Sequence, residues 1–206
     1  MNIKKLNDLF RNRGVAGAVS FILPYVLAFF RGILRGYWMV FLGPGVNIRH
    51  RKGVKIGKFS RIESFVEIDG FGEVGVNIGR NCKIGKYSII RVPPTPEIPG
   101  AGVAIADYTT IAEFCFLGGA GLVEIGEKCS IGQYVSIHPQ NHIGPDKDSA
   151  TEERGIKVCD NVWIGAKATL LDGTFVDSNT IIGACALLNK RYTSGTVIGI
   201  PAKNVP

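Results

Sequence analysis

The chain has 206 residues, enough for one domain with a substantial core and appendages. Its five cysteines show no metal-ligand spacing, and no cleavable signal peptide is evident, so a reducing cytoplasmic setting is expected. The net charge of +7 is uneven: residues 1–55 carry ten Lys or Arg against Asp8 alone, which is 10 − 1 = +9, leaving 7 − 9 = −2 for the rest, a distribution unlike that of a nucleic-acid binder.

The first predicted element is apolar and helical. Val15 to Phe30 (VAGAVSFILPYVLAFF) carries no charge, and the apolar character resumes after Arg31 and Arg35 in Gly36–Leu42. Its sixteen uncharged residues fall short of the roughly 20 of a spanning helix. Pro24 is expected to kink it. Flanking basic and aromatic residues suit contact with a membrane surface. The same helix would also serve as a cap on the open end of a repeat structure. Residues 1–45 are assigned to this N-terminal segment and 46–206 to a repeat domain.

From Ile56 onward an aliphatic residue recurs every sixth position. The runs are Ile56, Ile62, Ile68, Val74; Ile78, Ile84, Ile90; Ile105, Ile111, Leu117; Ile125, Ile131, Ile137; and Val158, Ile164, Leu170, Val176, Ile182, Leu188. A helix asks for spacings of three and four. A period of six fits a coil with three flat faces, each taking one short strand and one corner, and marks a parallel β-helix. Gly often follows the aliphatic residue (Gly57, Gly75, Gly79, Gly85, Gly118, Gly126, Gly132, Gly165, Gly183), where unusual backbone angles are expected. Four residues after it comes a second inward position that must be small: Ser60, Cys82, Thr109, Cys115, Cys129 and Ala168 are examples.

Two stretches break the rhythm. Residues 92–104 (VPPTPEIPGAGVA) hold four prolines and cannot continue a strand ladder. Residues 138–157 (HPQNHIGPDKDSATEERGIK) are polar, and a long loop leaving a regular solenoid tends to carry function. This second loop holds His138 and His142; the remaining histidine, His50, lies in the basic run Arg49–Lys52. Acyl transfer to an alcohol needs a general base, and histidine suits that task.

His142 stands in Gln140-Asn141-His142, followed by Val162-Trp163-Ile164-Gly165-Ala166, Ile182-Gly183-Ala184 and Gly199-Ile200-Pro201-Ala202-Lys203. This ordered series, over residues 56–206, resembles the hexapeptide-repeat sugar and polysaccharide O-acetyltransferases, a family with a left-handed β-helix. The resemblance implies an all-β, left-handed parallel β-helix behind the helical segment, acetyl-CoA as co-substrate and no metal. It implies that His142 deprotonates the acceptor hydroxyl, which attacks the thioester directly. Trp163 would flank the coenzyme arm, and the backbone at Gly165, Ala166 and Ala184 would bind the pantetheine amides. Lys190 and Lys203 would meet the phosphates. The galactoside-type enzymes carry an acceptor-binding Asn where this chain has Ala112 beside Glu113, so a different acceptor site is expected, with Glu113 and Asn141 as its candidates. The resemblance further implies a homotrimer with a carbohydrate acceptor, in surface polysaccharide or glycolipid synthesis, in the cytoplasm or at the inner face of the membrane.

Other readings remain open on sequence. An N-acetyltransferase acting on a nucleotide-linked amino sugar would depend less on His142. A metal-dependent hydratase of this fold would need three ligands, and only His138 and His142 lie close in sequence. A non-catalytic β-helix scaffold would need neither His142 nor the Trp163 and Lys203 motifs.

Overall fold

The computed structural model describes residues 3–92, 94–95, 98–144 and 151–205. The chain is a left-handed parallel β-helix with one N-terminal helix. Three parallel sheets form the sides of the coil. The first has nine strands, from Phe41–Leu42 through Trp163–Ile164 to the terminal hairpin Gly195–Gly199 and Ala202–Val205, its last pair antiparallel. The second has seven, from Val54–Ile56 to Arg191–Tyr192, and the third seven, from Asn47–Arg49 to Leu187–Leu188.

The six-residue rhythm is the inward ladder. On the first sheet Leu42, Ile62, Ile84, Ile111, Ile131, Ile164, Ile182 and Val197 pair in register. Ile68, Ile90, Leu117, Ile137, Leu170 and Leu188 do the same on the third. All of these side chains are buried, which is the main stabilising term of the solenoid. Val74 leaves the pattern and is 45% exposed, because the second sheet resumes at Val76 and Ile78. The irregular steps, from Ile68 to Ile78, Ile90 to Ile105, Leu117 to Ile125 and Ile137 to Val158, all leave from the corner joining the third sheet to the second. Both loops therefore project from one edge of the prism. They are also shorter than their sequence bounds, since Gly102–Ile105 and Ile156–Val158 are second-sheet strands. Positions 93, 96–97 and 145–150 of these loops lie outside the described residues.

The small inward positions do more than fill space. Thr109 Oγ1 donates to the Gly126 carbonyl (2.7 Å) and accepts the Cys129 amide (3.0 Å). Ser60 Oγ likewise donates to Gly79 (2.6 Å) and accepts from Cys82 (2.9 Å). The Cys82, Cys115 and Cys129 thiols donate to carbonyls of Ala106, Gly132 and Cys159 on the following coil. These bonds satisfy corner backbone groups that the strand ladders leave unpaired.

The corner glycines serve another purpose than expected. Of the nine named, only Gly75 has positive φ (+69°). The others keep ordinary angles; a Cβ on Gly57 would stand 2.5 Å from the Gly79 carbonyl carbon, and one on Gly85 2.3 Å from that of Ala112. Close approach of coil to coil excludes the side chain. The left-handed corner residue comes three after the aliphatic one and is mostly not glycine: Phe65 (φ 59°), Tyr87 (59°), Phe114 (60°) and Tyr134 (60°) at one corner. Their rings stack parallel at 5.0–5.2 Å, a column that offsets the cost of the backbone conformation.

The helix Ile3–Leu34 breaks at Gly14 (φ 64°, ψ 177°), not at Pro24. Its C-terminal half caps the first coil. Arg31 Nη1 donates to Leu42 O and Arg35 Nη1 to Val46 O, both at 2.6 Å, Phe29 packs on Phe41, and Tyr25 accepts from Arg61. The solenoid accordingly begins at Phe41, ahead of the sequence boundary. Val15, Val19, Leu27, Phe30, Leu34 and Trp38 remain exposed.

Candidate functional site

The third-sheet strand Ser136–His138 turns Ile137 inward and the two polar residues outward. His138 Nε2 lies 2.6 Å from Ser136 Oγ, and the imidazole stacks on Phe116 (centroids 5.3 Å). Burial pushes the His138 pKa below its ordinary value, which favours the neutral ring. A cavity of about 270 Å³ opens beside it, lined also by Arg91, Gly118 and Gln140.

The chain then leaves the corner as an antiparallel arm, Asn141–His142 against Thr151–Glu152, with Asn141 opposite Glu152 and His142 opposite Thr151. His142 is exposed, and its imidazole has no hydrogen-bond partner among the described residues. Gln140 Nε2 donates to Glu153 Oε1 across the arm (2.9 Å), and Thr151 Oγ1 donates to the same oxygen (2.9 Å). The arm returns to the solenoid at Asp172, whose buried carboxylate accepts the amides of Arg154 (3.1 Å) and Gly155 (2.8 Å) and pairs with the Arg154 guanidinium (3.3 Å). Sequence reading named neither Asp172 nor Ser136. An acid two residues past an inward leucine was the only signal for Asp172.

Trp163 is 57% exposed on the outer face of the first sheet, between Ser130 and Ile181. At the adjoining corner Gly165 N donates to Ile182 O (2.8 Å), and a Cβ on Gly165 would stand 2.5 Å from Ala184 N. The amides of Ala166 and Ala184, stacked on successive coils, donate to no group among the described residues. A flat wall with outward N–H groups beside an exposed indole can hold an extended amide-bearing chain.

A scan of family models finds no match to the chain. It is 28% identical over 159 residues to the bifunctional protein GlmU of Clostridium novyi, covering 72% of this chain and 32% of that one. To the putative lipopolysaccharide biosynthesis O-acetyl transferase WbbJ of Escherichia coli it is 27% identical over 158 residues, covering 69% and 75%. The solved polysialic acid O-acetyltransferase OatWY superposes with a TM-score of 0.61 at 18% identity, over 80% of this chain and 86% of that one. The chain is thus similar in sequence to acyltransferases and shares the fold of a solved hexapeptide-repeat acetyltransferase. The chain spans about a third of the length of GlmU and three quarters of WbbJ.

The candidate site residues fall into separate groups within one chain. Trp163, Gly165, Ala166 and Ala184 share the first sheet and its corner with the third, and Lys203 sits opposite Ile198 at the C-terminal end of that sheet. Glu113 occupies the same corner on an earlier coil, ion-paired to Lys83 at 3.8 Å. Asn141 and His142 stand across the third sheet on the opposite corner, and Lys190 lies on their corner rather than on the Trp163 side, its Nζ 6.0 Å from the Tyr192 ring. Among the described residues no cluster of three metal-ligating side chains occurs.

Proposed function

We propose that this acyltransferase moves an acetyl group from acetyl-CoA to a sugar hydroxyl of a surface polysaccharide or glycolipid. The observation that carries the reading is the exposed His142, without a hydrogen-bond partner among the described residues, on an arm pinned by Asp172, one coil before the exposed Trp163 and the amides of Ala166 and Ala184, which donate to no described group. His142 takes the proton as the hydroxyl oxygen attacks the thioester carbonyl, and returns it to the departing sulfur, leaving ester and free CoA. The indole flanks the coenzyme arm, the two amides bind its pantetheine carbonyls, and Lys203 offers a charge for its phosphates. Asn141 and the neutral His138 with Ser136 meet the acceptor.

His142 and Trp163 lie on different sides of the prism, so the site is completed by another copy, and a homotrimer supplies three such junctions. The N-terminal helix lies along the cytoplasmic membrane surface. From Tyr25 onward it is tied to the first coil, and the free stretch from Arg11 to Leu23 reaches only about 20 Å, short of a hydrocarbon core of about 30 Å. Thiol release from acetyl-CoA against a panel of surface glycans tests the reaction. Acceptor-dependent release that His142→Ala abolishes supports it; release that persists in that variant removes His142 from the chemistry.

A further inference from the structure

A second group of polar residues lies away from the arm, near the capped end. His50, in a left-handed conformation (φ 48°, ψ 51°), precedes the short turn Arg51–Gly53. Its Nδ1 is 2.7 Å from Asp69 Oδ1, and Asp69 is 2% exposed. The same carboxylate oxygen accepts the Phe71 amide at 3.1 Å, and Arg49 Nε lies 3.5 Å from the other oxygen. Phe71 packs on the imidazole with centroids 5.0 Å apart. The ring is thus fixed from two sides, with Nδ1 donating and Nε2 left for a ligand.

An open hollow of about 670 Å³ adjoins it, lined by His50, Arg51, Lys52, Gly53, Gly70 and Gly72, among others. Arg51 stacks over Tyr37 at 5.5 Å, and among the described residues neither its guanidinium nor the Lys52 ammonium makes an ion pair. The Gly72 amide likewise donates to no group in the described chain. Glu73 is the one acid on the lining. Two cationic side chains, an oriented imidazole, a free amide and glycine-opened backbone around one hollow match a multiply charged oxyanion better than a sugar or an apolar chain.

We propose that this hollow is a second binding site, taking a phosphate or diphosphate group, with His50, Arg51 and Lys52 as its ligands and Asp69 as the positioning residue. The site is independent of the acyl-transfer reading. The phosphate has two sources: a soluble phosphorylated ligand, or the headgroup of an amphiphile presented beside the exposed helix.

The test is calorimetric titration of the full chain with inorganic pyrophosphate, and in parallel cosedimentation with phosphatidylcholine vesicles with and without phosphatidic acid. Pyrophosphate binding weakened about tenfold or more by His50→Gln and by Lys52→Ala supports the site with a soluble source. Phosphatidic-acid-dependent sedimentation that both variants lose, without pyrophosphate binding, supports it with a headgroup source. The Lys52 side chain is exposed and makes no hydrogen bond or ion pair among the described residues, so its loss is expected to leave the fold intact. Absence of binding in both assays, or binding that both variants retain, overturns the proposal. Coenzyme A titrated into His50→Gln separates this site from the donor site, whose affinity is expected to be unchanged.

Discussion

Asp172 Oδ1 accepts the Gly155 amide at 2.8 Å, and through that bond the coil that follows the arm holds the arm that carries His142. The carboxylate is buried, its other oxygen takes Arg154, and the Gly173 amide beside it donates to the Gly155 carbonyl at 2.9 Å. Asp172→Asn keeps the size and loses the charge-assisted bonds. We expect it to cost about 1–3 kcal/mol locally. Hydrogen exchange at 151–156 should accelerate and turnover should fall, while the rest of the solenoid keeps its protection.

His142 and His138 are expected to separate by effect. His142→Ala should cut turnover about 10²–10⁴-fold with an unchanged melting temperature, because the exposed ring has no hydrogen-bond partner among the described residues. His138→Ala opens the space beside Phe116 and strands Ser136; it should raise the acceptor KM more than it lowers kcat. Steady-state kinetics on both variants checks this.

Thr109→Val removes a buried hydroxyl that bridges two coils. The Gly126 carbonyl loses its donor and the Cys129 amide its acceptor, at a cost of about 1–3 kcal/mol in denaturant unfolding. Thr109→Ser keeps both bonds and should recover most of it.

This bridge also shows where sequence reading stopped. The ladder Ile62–Ile84–Ile111–Ile131–Ile164–Ile182 was legible because burial repeats with the coil, and so was the small size at Ser60, Cys82 and Thr109. Their hydrogen bonds were not, since spacing along the chain does not reveal which carbonyl a coil places opposite. Val74 failed because the corner after Ile68 carries extra residues that shift the phase. The glycine corners were placed correctly with the wrong cause: Gly57 and Gly85 permit close approach, while the left-handed angles fall on Phe65, Tyr87, Phe114 and Tyr134, types that advertise no such conformation. His142 and Trp163 were legible as motifs. Asp172 and the Ser136–His138 pair were not, because they are set by what the arm returns to.

Burial raises the Cys115 thiol from 9.0 to about 11, and raises Cys82 and Cys129 as well. The folded state keeps these protons where the unfolded chain loses them. The stabilisation is complete below pH 9 and is lost as pH rises from 9 towards 11, since the unfolded chain then binds fewer protons. Cys115 alone accounts for about 2–3 kcal/mol of this fall. Denaturant midpoints between pH 8 and 11 should drop less steeply for Cys115→Ala than for the parent.

Removing residues 1–24 takes away the exposed apolar stretch and leaves the docked cap of Tyr25, Phe29 and Arg31 in place. The truncated chain should stay folded and lose most of its sedimentation with anionic vesicles. Sedimentation equal to that of the full chain removes the membrane assignment.

The central claim is donor use, and calorimetric titration with acetyl-CoA and CoA reaches it without knowledge of the acceptor. We expect binding in the micromolar to low-millimolar range, about one per chain, and about tenfold weaker in Trp163→Ala, a loss of about 1.4 kcal/mol. A folded protein that takes up neither compound, or binds both equally well without the indole, would contradict the account.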